Sequence, residues 1–253
     1  MKISMHSDIG LKRTSNQDYA NYYYSQQEQV LWVLCDGVGG NLAGDVASQK
    51  TTEFIGHAFQ EVDQVMTLEE SLNWMESIIQ ESNKYILALA SQDLKWEGMG
   101  TTVVLATMVE ETILICHVGD SRAYVVKEGK LQQMTNDHSL VNELIRSGEI
   151  TAEEGVHHPQ RNVVTQSIGT SFQVHPECSQ IAIDQVELLI LCSDGLNSML
   201  EDDEIFKVIQ EEKDIESLGQ ELIEAANQAG GHDNITLILV SEFKQIEQEG
   251  GLA

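Results

Sequence analysis

Apolar residues fall into short runs along much of this chain, broken by polar turns, with a few longer stretches of helical spacing between them. The runs predict strands near 3–7, 18–24, 30–35, 101–108, 112–118, 123–127, 131–134, 162–167, 174–183, 188–192 and 235–241. Helices are predicted over 41–59, 68–90, 140–147, 202–211 and 216–229. In 68–90, Leu68, Leu72, Met75, Ile79, Ile86 and Leu89 recur at threes, fours and one seven. Strands that follow one another through short turns point to antiparallel sheets, and paired long helices point to layers covering the sheet faces. The pattern therefore predicts an α+β domain, with a loose tail from about 244 to 253 where apolar periodicity stops.

Several of the apolar runs end on aspartate. The run from Val30 to Cys35 stops at Asp36-Gly37, Ile113 to Val118 stops at Gly119-Asp120, and Leu188 to Cys192 stops at Ser193-Asp194-Gly195. Asp233 instead precedes the run Ile235 to Val240. One strand's start lies beside its antiparallel neighbour's end, so one start and three ends can gather at a single edge. Carboxylates gathered there repel one another unless protonated or bridged by cations. Hard oxygen donors suit Mg²⁺ or Mn²⁺ rather than Zn²⁺. Gly37, without a side chain, lets its carbonyl approach an ion closely. The histidines show no H-x-x-x-H spacing, and Cys35 should face away from Asp36 on its strand, which sets a Cys/His site aside. Asp-Gly also punctuates turns, and any one of these sites alone reads that way. Their shared position against apolar strands is what points to metal.

The segment Asp36-Gly37-Val38-Gly39-Gly40-Asn41-Leu42-Ala43-Gly44 joins a strand to a helix. Leu42 occupies the third glycine position of G-x-G-x-x-G, and G-x-x-x-x-G-K is absent, which disfavours a nucleotide loop. Near the start, Lys12-Arg13 precedes Thr14-Ser15-Asn16-Gln17-Asp18. The planar fork of Arg13 suits a phosphate, although an arginine after a turn is more often simply solvated.

Charge narrows the partners. The 253 residues carry 41 acidic and 14 basic side chains, a net charge of −27. Nucleic acid and anionic membrane surfaces are excluded as partners by that balance. No run is long and apolar enough to span a bilayer, and the first residues contain no apolar signal region, so a cytoplasmic protein is expected. Cys35, Cys116, Cys178 and Cys192 form no C-x-x-C pair and read as reduced thiols, three of them within apolar runs. No heptad or other dimerisation segment is evident, and a monomer is expected.

Seven short motifs in order resemble one family. They are G-x-x-R-x-x-N-Q-D from Gly10 to Asp18, D-G-x-G-G from Asp36, G-M-G-T-T from Gly98, G-D-S-R from Gly119, D-H-S from Asp137, S-D-G-L from Ser193, and G-G-x-D-N-x-T from Gly230. The set resembles the metal-dependent Ser/Thr protein phosphatases of type 2C, in the compact form that Gram-positive bacteria pair with Ser/Thr kinases. The resemblance covers nearly the whole chain and implies one catalytic domain over 1–243. It implies a β-sandwich of two antiparallel sheets flanked by helix pairs, a four-layer α-β-β-α arrangement, with a flap over about 137–170. It further implies two core Mn²⁺ or Mg²⁺ ions bridged by Asp36, with Asp194 and Asp233 on one ion and the Gly37 carbonyl on the other. By the same resemblance Asp18 stands near the second ion, Asp120 joins Asp194 at a possible third ion, and Arg13 binds the substrate phosphate. The implied reaction is hydrolysis of phosphoserine and phosphothreonine by metal-activated hydroxide, opposing a bacterial Ser/Thr kinase.

One position departs from the resemblance. Members of the bacterial group usually place histidine, a candidate general acid, where this chain has Asn41. An amide cannot donate a proton at ordinary pH, although Asn41 can bind phosphate or cap the following helix. A phosphoprotein-binding regulator with weak turnover is therefore the alternative function, and a hydrolase of small phosphate esters a third. His138 reads as structural, His157 and His158 as surface residues, and Arg161 as a possible substrate contact.

Overall fold

A computed structural model describes residues 1–38, 43–156, 158–211 and 214–243. In chain order its strands are β1 (Lys2–Asp8), β2 (Asp18–Tyr24), β3 (Val30–Val38), β4 (Gly100–Thr101), β5 (Val103–Val109), β6 (Thr112–Val118), β7 (Arg122–Lys127), β8 (Lys130–Gln133), β9 (Glu177–Ala182), β10 (Leu188–Cys192) and β11 (Ile235–Ser241). The helices are α1 (Gly44–Gln60), α2 (Leu68–Ala90), α3 (Leu140–Ser147), α4 (Ala152–Val156), α5 (Asp194–Asn197), α6 (Asp202–Gln210) and α7 (Ile215–Gln228). One sheet has the order β1-β11-β10-β7-β8, the other β2-β3-β5-β6-β9, with β4 paired to the far end of β3. Every pairing is antiparallel.

The continuous apolar runs are explained by burial on both faces. Along β3, Val30, Trp32 and Leu34 point into the core between the sheets, while Leu31, Val33 and Cys35 point to α1 and α2. Along β11, Ile238 and Val240 join the inter-sheet core, and Ile235, Leu237 and Leu239 pack toward α6 and α7. Three apolar layers thus separate four layers of structure, in the order helix pair, sheet, sheet, helix pair. Local signals stop and start the helices. Thr67 and Glu70 form a capping box at α2, and the Asp214 carboxylate accepts from the Glu216 and Ser217 amides at α7.

Some expectations need correction. The helix expected from 41 begins at Gly44, because Ala43 takes a left-handed conformation (φ 54°) that a helix cannot contain; Asn41 itself lies outside the described residues, as does the expected tail. The run 101–108 is interrupted at Thr102: its amide still bonds the Asp36 carbonyl in register, but the Asp36 amide returns to the Thr102 hydroxyl instead of the Thr102 carbonyl. No strand forms over 162–167. That segment makes one isolated bridge, Val164 with Ser139, and leaves Val163 exposed; Ile168, just beyond it, bridges Thr101. β9 starts only at Glu177, since Pro176 has no amide to give a ladder. The cysteines are not all free: Cys116 and Cys178 face one another on β6 and β9, with Cα atoms 4.1 Å apart, and form a disulfide. Cys35 and Cys192 remain buried thiols.

Gly56 shows how tightly α1 lies on its sheet. A Cβ there would stand 2.1–2.4 Å from the Tyr23 ring. Alanine in an unhindered helix gains about 0.5–1 kcal/mol over glycine, but forcing atoms into a packed core costs about 1–3 kcal/mol. Gly56→Ala is therefore expected to lower thermal stability by several degrees; an unchanged or raised melting temperature would show that the ring yields freely.

Candidate active site

The aspartates converge, but not at the edge of one sheet. Asp18 opens β2 and faces Asp36 of β3 in direct register. Asp36 shares strand parity with Trp32 and Leu34, so its side chain lies on the inter-sheet side, opposite Cys35. Asp194 follows β10 and Asp233 precedes β11, adjacent antiparallel strands of the other sheet. Asp120 sits on the link that carries the chain from β6 in one sheet to β7 in the other. The site is thus the common rim of both sheets, and it needs the sandwich closed to exist.

Uncharged side chains within the motifs hold this rim in place. The Asp36 carbonyl accepts from the Thr101 hydroxyl (2.8 Å) and the Thr102 amide (2.8 Å), and the Asp36 amide donates to Thr102 Oγ1 (3.0 Å). Thr102 Oγ1 is also 2.7 Å from Ser121 Oγ, which joins the Asp120 link to the same point. Ser193 Oγ donates to Asp18 Oδ2 (2.7 Å) and accepts from the Thr236 amide (2.9 Å), crossing from one sheet to the other. Buried Asn234 accepts from the Gln17 amide and donates to the Ile9 and Ser15 carbonyls, fixing the loop that carries Arg13. Reading strand ends alone missed Thr101, Thr102, Ser121, Ser193 and Asn234. Their signal was their place inside the motifs.

Two glycines permit the approach of backbone to backbone. A Cβ on Gly10, already at φ +77°, would meet the Asp233 carbonyl oxygen at 2.1 Å. A Cβ on Gly37 would meet Gly44 at 2.5 Å and the Gln17 carbonyl at 2.8 Å. Gly37 thus sits beside Asp36 with its amide donating to Gln17 (3.1 Å).

The electrostatics follow from enclosing like charges. Burial first, then Asp18, Asp194, Asp120 and Asp233, hold the Asp36 carboxyl well above the usual carboxylate range. Burial first, then Asp120, Asp233 and Asp18, do the same to Asp194. Burial lifts Asp18 to about 6 against the hydroxyl of Ser193, and burial with the charge of Asp137 lifts Asp120 to about 6. Asp18 Oδ1 and Asp194 Oδ1 are enclosed with no hydrogen-bond partner. Among the described residues no three His, Cys, Asp or Glu side chains already stand at ion-coordinating spacing. The fit to a divalent cation rests instead on the donors, which are all oxygen, partly orphaned, and starved of positive charge.

Positive charge comes from two arginines of different character. Arg13 Nη2 donates to Asp233 Oδ2 at 2.6 Å from a side chain 43% exposed. Arg122 is more enclosed. Its Nε and Nη2 grip Asp137 at 2.7–3.1 Å, and its Nη1 donates to the Tyr124 hydroxyl (2.6 Å), which donates to Asp202 (3.0 Å). A cavity of about 400 Å³ opens beside Asp120 and Asp194, lined also by Arg122, Asp137, Asp202 and Arg161. Arg161 is exposed, with its backbone amide bonded to the His158 carbonyl (3.1 Å). His138 is buried, accepts from the Gly119 amide (3.2 Å) beside Asp120 and stacks on His117, with a pKa lowered to about 4 chiefly by burial.

Two outcomes are expected. With metal chelated, the folded chain keeps protons on Asp18 and Asp120 that the unfolded chain releases from 3.8 upward. Stability from these groups is full below about pH 4 and is lost as pH rises through about 6. The chelated protein should melt higher at about pH 5 than at about pH 7.5, and a divalent cation should raise the melting temperature more at the higher pH; equal metal-induced shifts would contradict the charge coupling. Separately, Arg122→Ala leaves Asp137 unpaired and should cost about 3 kcal/mol in urea unfolding, whereas Arg13→Ala, an exposed pair, should cost under about 1 kcal/mol.

A protein-family model described as Protein phosphatase 2C matches residues 11–239. Protein phosphatase PhpP of Streptococcus pneumoniae is 37% identical over 241 residues, covering 95% of this chain and 97% of its own. Serine/threonine phosphatase stp of Listeria monocytogenes is 35% identical over 250 residues, covering 99% and 98%. The crystal structure of serine/threonine phosphatase Stp1 from Staphylococcus aureus superposes with a TM-score of 0.92 at 36% identity, covering 96% of this chain and 95% of that one. With the motifs, the two-sheet rim and these matches in agreement, the chain belongs to the protein phosphatase 2C family.

Proposed function

We infer that this protein is a metal-dependent phosphatase that hydrolyses phosphoserine and phosphothreonine in other proteins. The observation that carries the reading is the mutually repelling set of enclosed Asp18, Asp36, Asp120 and Asp194 with half-buried Asp233, gathered within reach of Arg13's charge. Relatives named as Ser/Thr phosphatases over nearly the full length support the substrate class. Asp36, Asp194, Asp233 and the Gly37 carbonyl would hold two core Mn²⁺ or Mg²⁺ ions, with Asp18 near the second and Asp120 at a third. Such ions supply a water of lowered pKa and neutralise phosphoryl charge.

The chain's own groups do the remaining work. Arg13 holds the phosphoryl oxygens through its planar fork, and its present grip on Asp233 keeps it oriented at the site. Ser193 holds the Asp18 carboxylate, and Thr101 and Thr102 hold the Asp36 backbone, so that little reorganisation accompanies charge development. The segment 137–170 with α3 and α4 is read as a flap subdomain of a single catalytic domain over 1–243, and Arg161 on its cavity side as a substrate contact. A cognate bacterial Ser/Thr kinase, a monomeric state and a cytoplasmic location complete the reading. Among the described residues, no helix is long and apolar enough to cross a membrane.

The test is an assay on a phosphothreonine peptide and an aryl phosphate, with Mn²⁺ or Mg²⁺ and with chelator. Both activities should require metal, and Asp36→Asn should lose at least about 10²-fold on both. Activity insensitive to chelator would sink the reading. Because aryl leaving groups need little protonation, Asn41→His should raise the peptide rate by about 10-fold or more and leave the aryl phosphate rate nearly unchanged.

A further inference from the structure

The disulfide between Cys116 and Cys178 sits at an instructive place. β9 is the outer strand of its sheet, paired only with β6. Its ladder begins at Glu177, just after Pro176, and the pair His117–Glu177 is the last at that end. Strand ends fray, most readily at an edge with one neighbour and a proline stop. The Cys116–Cys178 bond is the very next pair inward, so it staples the end that would open first.

What hangs from that end is the root of the segment beside the aspartates. The Glu177 carboxylate accepts from Asn136 Nδ2 (3.2 Å) and from Arg146 Nη1 of α3 (3.2 Å). The His117 ring spans the Glu177 and Asn136 carbonyls at 3.2 and 2.8 Å and stacks on His138. Asp137, next in the chain, is the residue gripped by Arg122, two positions from Asp120. A continuous run of contacts therefore joins the disulfide to the rim of carboxylates. If the first turn of β9 opens, Glu177 leaves, and the anchor of Asn136 and Arg146 leaves with it.

We propose that Cys116–Cys178 is a reversible thiol–disulfide site that sets how firmly the segment from Asn136 through α3 is held beside the active site, its reaction partner being a dithiol–disulfide couple. The proposal rests on the phosphatase reading only for its catalytic consequence. Cys178 is partly exposed and Cys116 wholly buried, so a reductant thiolate attacks the Cys178 sulfur. The Cys116 sulfur departs with the bonding electrons and takes a proton, leaving a mixed disulfide on Cys178. The second thiolate of the reductant then closes the reductant's own disulfide and releases Cys178, which takes the second proton. Two electrons and two protons pass from the dithiol to the cysteines, and the oxidised couple reverses each step. Cys35 and Cys192 do not compete, being enclosed thiols whose pKa burial pushes up to about 12.

The test compares oxidised protein with protein reduced by dithiothreitol and then freed of it. Thiol titration in denaturant should rise from two to four of the four cysteines on reduction. Amide hydrogen exchange over 137–147 should then quicken about 10-fold, with the helices α1 and α7 unchanged. The KM for a phosphothreonine peptide should rise several-fold while aryl phosphate turnover stays within about twofold. Cys178→Ser should show the reduced behaviour without reductant and no response to it. Four free thiols in protein treated with oxidised dithiol would overturn the proposal, as would unchanged exchange over 137–147 once the thiol count has risen. A protein silent on both substrates whose exchange still responds upholds the site and counts only against the phosphatase reading.

Discussion

Five carboxylates enclosed together are mutually repulsive, and the rest of this molecule is arranged around tolerating that repulsion. Burial raises every one of the four most enclosed, Asp18, Asp36, Asp120 and Asp194, and the charges of neighbouring aspartates raise each of them further. No single strand or helix could hold them; the sheets do so by contributing from opposite sides. Their cores supply the apolar burial that keeps the rim closed, and the hydroxyls of Thr101, Thr102 and Ser193 supply rigid polar contacts where a charged partner would have quenched the site. The two arginines are kept at the margin for the same reason. Arg122 spends its charge on Asp137, and Arg13 touches only the most exposed of the set.

The helices matter to function chiefly as lids on the outer sheet faces. α1 follows directly on the Asp36 strand, and its close seating against Tyr23 and Gln17 fixes where that strand can end. On the opposite side, α7 packs over β1 and β11, the strands that flank Asp233 and the Arg13 loop. Packing far from the chemistry therefore bears on the positions of the reacting groups, and at Gly56 it leaves no room for a methyl against the Tyr23 ring.

Much of this was legible from residue order. β2, β6, β10, β11, α2 and α3 fall where the hydrophobic pattern puts them, because each has a clean period and a polar stop. The 162–167 strand did not form: Val163-Val164 looks like a strand seed, yet its pairing with 138–140 stops at a single bridge where α3 begins. Pattern alone also placed the aspartates at one sheet edge. That was wrong because a strand's period reveals its faces and not its sheet, and the chain changes sheet at Gly119-Asp120. The cross-strand disulfide was invisible for the same reason: Cys116 and Cys178 become partners only through the β6–β9 register.

The position of β11 has a consequence for how the protein comes into being. It lies between β1 and β10, inside its sheet, yet it follows all other described strands in the chain. Asp233, and the Asn234 amide that fixes the Arg13 loop, arrive with it. A ribosome must therefore pass Ser241 before β1 finds its partner and the rim can close. Such long-range closure is slow to form, and it means that a nascent or prematurely terminated product carries most of the carboxylates but no assembled site. Catalytic competence thus waits on β11, so that a copy cut short before it is also an inert one.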